Sequence, residues 1–143
     1  GGIATGRAML AAMVLGADGV QVGSRFVASP EASSHTLFKQ RVVDAQEGDT
    51  QLTLKELAPV RLLKNKFFND VQAAYAKGAG PEELKRLLGR ARAKKGMFEG
   101  DMEEGELEIG QVSGLIHHIV PAADIVAELL EEYHRAKAEI CSN

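Results

Sequence analysis

The sequence holds no tryptophan, one cysteine and no initiator methionine. Cys141 alone cannot close an intrachain disulfide, and a zinc site would find no thiolate partners. Both absences fit a reducing cytoplasm. No apolar run approaches the roughly 18 residues that a membrane span needs, and no secretory signal opens the chain. An excess of positive charge is missing too, since 17 Lys and Arg against 20 Asp and Glu leave a formal charge of −3. Without a net positive field to attract phosphate backbones, a general nucleic-acid binder is not expected. The basic stretch KRLLGRARAKK, from Lys85 to Lys95, reads as a solvated helix face. At 143 residues and 45% apolar content, one domain with a real core is possible, whereas most two-domain enzymes are longer.

What is present begins with GGIATGRAMLAAMVLGADGVQVGSRF, Gly1 to Phe26. Thr5 is placed to cap a helix from Gly6 to Leu15, and Gly16 is placed to close it. GVQV, from Gly19 to Val22, reads as a short buried strand. Helix, tight link and strand make the second half of a βαβ unit whose first strand would end at Gly1 and Gly2. Further on, the pattern predicts a helix over 36–45, a strand over 50–54 and a helix from Lys66 toward Gly78. Another helix starts at Pro81 and runs to about Lys94. A glycine-punctuated acidic loop then leads to a short helix over 111–118. A long amphipathic helix ends the chain, with Ile125, Leu129, Tyr133 and Ile140 on or near one face.

A glycine pair at the end of a strand lets backbone approach a bound group, because no Cβ stands in the way. Gly23 and Ser24 repeat this arrangement one βα unit later, and Ser24 adds a hydroxyl. Backbone N–H groups from Gly1, Gly2, Gly23 and Ser24 can thus converge on one anion. In β/α barrels a phosphate site often lies at the loops after the last two strands.

The opening stretch resembles the C-terminal part of the flavin-dependent nitronate monooxygenase family, which includes the FMN-dependent enoyl-acyl-carrier-protein reductase II. The resemblance continues through Glu31 and His35, PVRLLKNKF, GDMEEGELEIGQVSGLI and the terminal helix, nearly the whole chain. It implies an α/β fold: the C-terminal part of a (β/α)8 TIM barrel carrying an inserted, mostly helical small domain. Residues 1–33 would be the last βα units, 34–105 the inserted domain, and 106–143 helices returning to the barrel. By resemblance, Gly1, Gly2, Gly23 and Ser24 would hold the FMN phosphate, with Gln21 and Val22 lining the site. The family often has threonine where Ser24 stands; serine keeps the hydroxyl.

The family's catalytic histidine and its flavin-cradling N-terminal strands have no counterpart here, so no catalytic residue is assigned within this chain. His35, Arg61, Lys64, Asn65, Gln111 and Ser113 match family positions and are candidates for the active-site mouth. For His35 a helix N-terminal or loop-packing role competes, and for Arg61 and Lys64 ion pairs orienting the inserted domain. His117 and His118, adjacent in sequence, point about 100° apart on a helix and suit no metal. Glu103, Glu104, Glu106 and Glu108 lack calcium-loop spacing and read as solvated surface. The implied activity is NAD(P)H-dependent reduction of an enoyl group on acyl carrier protein in fatty acid synthesis, with NADH or NADPH as reductant. The alternatives are a nitronate monooxygenase, and a non-catalytic half-barrel that pairs with a missing N-terminal half. Bare barrel surfaces predict association into a homo-oligomer.

Overall fold

The computed structural model describes residues 1–142. Helix α1 (Gly6–Val14) starts where Thr5 accepts a hydrogen bond from the Ala8 N–H at 3.2 Å. It ends at Leu15, and Gly16 beyond it takes φ +99°, which favours glycine. The inward face of α1 is small, with Gly6 and Leu10 buried against the terminal helix α7 (Ala122–Cys141). A Cβ on Gly6 would fall onto the Leu129 carbonyl oxygen and the Tyr133 nitrogen, so the two helices touch through backbone. The Glu132 carboxylate accepts from the Gly6 N–H at 2.7 Å, complementing the positive end of α1.

Residues 19–23 form no strand, contrary to the expectation for Gly19–Val22, and residues 1–4 lie in no strand either. A parallel strand exists only through hydrogen bonds to its neighbours, and no described strand pairs with these residues. The chain passes instead into one helical turn, α2 (Ser24–Val27).

Helix α3 (Thr36–Val43) carries Phe38 and Val42 into the core. Strands β1 (Thr50–Thr53) and β2 (Val60–Leu63) pair antiparallel, Thr50 opposite Leu63 and Thr53 opposite Val60. The returning chain adds a further rung: Leu63 N–H donates to the Leu107 carbonyl at 2.9 Å, and Ile109 N–H to that of Arg61 at 3.2 Å. Because side chains alternate along a strand, Leu62 and Leu63 enter different cores. Leu63 joins Phe38, Val42, Leu107 and Ile116, whereas Leu62 joins Leu54, Phe67, Val71 and Leu84.

The second core is closed by α4 (Lys66–Ala76) and α5 (Pro81–Leu88). The helix expected to run on to Lys94 breaks at Gly89 (φ 66°, ψ −150°) and restarts as α6 (Arg92–Met97) after Ala91 at φ 58°. The break lets Arg92 turn back, donating to the Leu88 and Leu87 carbonyls at 2.8 and 3.0 Å with its guanidinium 4.4 Å above the Phe67 ring. It also seats Gly96 against Glu106, whose carbonyl oxygen would lie 2.8 Å from an added Cβ. The basic stretch is therefore not wholly solvated, and Lys94 and Lys95 pair with Glu99 and Asp101 at 2.7 and 3.0 Å. Nor is the acidic loop wholly surface: Glu106 is 8% exposed, and Glu104 pairs with Lys66 and Arg92.

The helix expected over 111–118 is a 3-10 turn, Gln111–Leu115. In α7, Ile125 and Leu129 are buried and Tyr133 half-buried, but Ile140 is exposed. Helix α1 spans roughly 14 Å against roughly 30 Å for α7, and Arg7 of α1 reaches Glu139 in the last turn of α7. Among the described residues no helix is long and apolar enough to cross a membrane.

Candidate functional site

Gly2 takes φ +80°, and a Cβ there would meet nothing within 4 Å. Gly23 is equally open, Gln21 is exposed and Val22 half-buried. Ser24, the first residue of α2, accepts through Oγ from the Gly110 N–H at 3.1 Å. Its hydroxyl proton is left to donate elsewhere. A Cβ on Gly110 would sit 2.6 Å from that oxygen and would push the Ser24 hydroxyl aside.

Gly110 opens the 3-10 turn, and the turn borders a cleft of about 570 Å³ walled by Gly2, Gly48, Gln111, Val112, Gly114 and Leu115. Ser113, in the same turn, is fully buried, and its Oγ finds no hydrogen-bond partner. The structure thus brings Gly2 and Gln111 to one cleft and ties Ser24 to it through Gly110. Gly23 opens on a different, mostly apolar hollow walled by Phe26, Phe38, Met97 and Phe98.

The remaining candidates serve neighbouring backbone. His35 accepts through Nδ1 from the Leu37 N–H at 3.2 Å, capping α3, and its ring would lie 2.5 Å from a Cβ on Gly100. Arg61 donates to the Thr50 carbonyl and hydroxyl at 3.1 and 3.2 Å, not to a carboxylate. Lys64 donates to the Gly48 carbonyl at 2.8 Å, holding one wall of the cleft. Asn65 caps α4 by accepting from Phe68 N–H at 2.9 Å. Its amide donates to the Met102 and Gly105 carbonyls at 2.9 and 2.8 Å. The His117 and His118 rings stand 6.4 Å apart, edge to face, and no metal-holding cluster occurs among the described residues.

Two charged residues, Arg25 and Lys39, escaped the sequence reading, and Glu31 entered it only as a position matching the family. Arg25, 6% exposed, donates to Glu128 at 2.7 Å and to the His118 carbonyl at 3.3 Å. Lys39, 7% exposed, donates to the Ala32 and Pro30 carbonyls at 2.8 and 3.3 Å. Glu31 accepts from the Ala122 N–H at 3.1 Å, capping α7 where Pro121 has no acceptor of its own. Backbone N–H groups of Glu31 itself and of Ala122 hold that carboxyl below the usual range. Only the position of Arg25, directly after Gly23–Ser24, was a usable signal; the other partnerships depend on the fold.

Similarity to known proteins follows the same lines. A probable nitronate monooxygenase of Staphylococcus saprophyticus is 32% identical over 83% of this chain, and one of Bacillus subtilis 28% over 92%. The chain spans only 34% and 38% of those two proteins. FabK from Thermotoga maritima superposes with a TM-score of 0.91 at 36% identity, over 99% of this chain and 45% of that one. Nitroalkane oxidase from Streptomyces ansochromogenes superposes at 0.73 and 30% identity, over 97% and 39%. The nitronate monooxygenase family model matches residues 1–132, through α1, both cores and most of α7, and the chain belongs to that family.

Proposed function

We propose that this chain supplies the phosphate-holding edge and the small domain of an FMN-dependent β/α-barrel oxidoreductase of the enoyl-acyl-carrier-protein reductase type. One observation carries the flavin reading: glycine backbone stands open at Gly2, on the cleft of the 3-10 turn, and at Gly23, next to a serine whose Oγ reaches that turn at Gly110. The donors suit a phosphate, for which backbone N–H and hydroxyl groups are the usual partners. Bound FMN would supply hydride transfer. Gly1, Gly2, Gly23 and Ser24 would hold its phosphate, and Gln21, Val22 and Gln111 would border it. Lys64, by gripping Gly48, would keep the cleft open.

The reductase type is favoured by the superposition on FabK, 0.91 against 0.73 for nitroalkane oxidase. NADH or NADPH would be the reductant and an enoyl thioester on acyl carrier protein the substrate, in a cytoplasmic homo-oligomer. A second reading, nitronate monooxygenase, is favoured by the names of the curated relatives. Two assays on the full-length protein separate them. The reductase reading expects NAD(P)H oxidation dependent on crotonyl thioester. Oxygen uptake with propyl-2-nitronate, and no thioester-dependent oxidation, would establish the second reading instead.

A further inference from the structure

We infer that Arg25 is a positioning residue for the phosphate site, an inference that rests on the flavin reading above. Helix α2 has four residues, one turn, too short to hold its own conformation or direction. Its orientation is imposed from outside. Successive helical residues point about 100° apart, so Ser24 meets Gly110 while Arg25 turns inward to α7. There the guanidinium is fixed at two nitrogens, by Glu128 at 2.7 Å and by the His118 carbonyl at 3.3 Å. A buried guanidinium is costly to strand without its partner, so the pair resists rotation of α2 strongly. Any such rotation would swing the Gly23 and Ser24 N–H groups and the Ser24 hydroxyl away from a bound phosphate. Beside the pair lies a hollow of about 280 Å³ bordered by Thr5, His117 and Glu132. It gives the guanidinium somewhere to swing once Glu128 no longer attracts it.

The test uses the full-length apoprotein, titrated with FMN and with riboflavin, which lacks the phosphate, by flavin fluorescence. Wild type is expected to prefer FMN. Arg25→Met and Glu128→Gln are each expected to lose roughly tenfold of that preference, about one charge-assisted hydrogen bond, with riboflavin affinity unchanged. Arg25→Lys should recover part of it, and Glu131→Gln, on the exposed side of α7, none of the loss. If Arg25→Met does not fold, Glu128→Gln carries the test, because Glu128 is half exposed and its neutral form keeps the same shape. An unchanged preference in both variants, or equal loss of both flavins, overturns the inference while the flavin reading stands. A wild-type protein that binds both flavins equally overturns the phosphate site itself, and the inference with it.

Discussion

Glu106 sits at the start of the segment that returns beside β2, with its backbone N–H donating to the Arg92 carbonyl at 3.0 Å. Burial, reinforced by the nearby Glu108 carboxylate and opposed by Arg92, raises its carboxyl to about 7. A folded-state value above the unfolded one means the folded protein binds this proton more tightly. Stability therefore falls as pH rises from about 4.5, the unfolded value, through about 7, where the folded group ionises. The loss is about 3 kcal/mol. Glu106→Gln, which cannot ionise, should flatten that slope, so that denaturant unfolding at pH 5 and pH 8 gives closer stabilities than in wild type. Equal pH dependence in both proteins would show that Glu106 is not the group responsible. Asn65 makes a second residue-scale case, because one side chain caps α4 and ties down two loop carbonyls. Asn65→Ala should cost about 2–3 kcal/mol, a lost cap plus stranded acceptors. Thermal unfolding checks this, and a cost below about 0.5 kcal/mol would refute the bridging role.

Between elements, the tightest approach is α1 on α7 at Gly6. Gly6→Ala would gain helix propensity, yet its methyl must displace backbone of α7 rather than a movable side chain. The clash should dominate, at about 1–3 kcal/mol, and a more stable variant would contradict the close packing. The α5–α6 junction offers the opposite sign. Ala91 stands at φ 58°, where an L-residue pays for its Cβ, so Ala91→Gly should raise the melting temperature by relieving about 1 kcal/mol. Gly89→Ala, at φ 66° and ψ −150°, should lower it. This junction also shows where the sequence stopped being legible. Thr5, Gly16 and Pro81 act within a few residues, and their caps and helix starts were readable. The break at Gly89 serves the contact of Gly96 with Glu106 and the reach of Arg92 to Phe67, neither of which is local. The site divides in the same way. Open glycine backbone at Gly2 and Gly23 was readable from residue type, whereas Arg61, Lys64 and Asn65 spend their donors on Thr50, Gly48, Met102 and Gly105, 11 to 40 residues away.

For the whole molecule, the packing is uneven. Two cores flank the β1–β2 hairpin, and α1 lies on α7, while Val14 and Leu15 are 74% and 89% exposed. Val126 and Leu130, on α7, are also exposed. The only sheet among the described residues is the hairpin, so the loops at Gly2 and Gly23–Ser24 are not carried by strands here. Phosphate donors alone offer a flavin a few charge-assisted hydrogen bonds, each worth about 1.5–3 kcal/mol, against an association cost of about 4–15 kcal/mol. The balance gives weak binding unless other surfaces enclose the ring. The 143-residue chain by itself should therefore elute from gel filtration free of flavin absorbance and without thioester- or nitronate-dependent turnover. Its uncovered apolar side chains should also make it elute larger than a monomer. The full-length protein under the same conditions should keep its flavin. Stoichiometric FMN travelling with the 143-residue chain would mean that these loops and the cleft at Gln111 already hold the whole cofactor. The ring would then have to lie against the 3-10 turn.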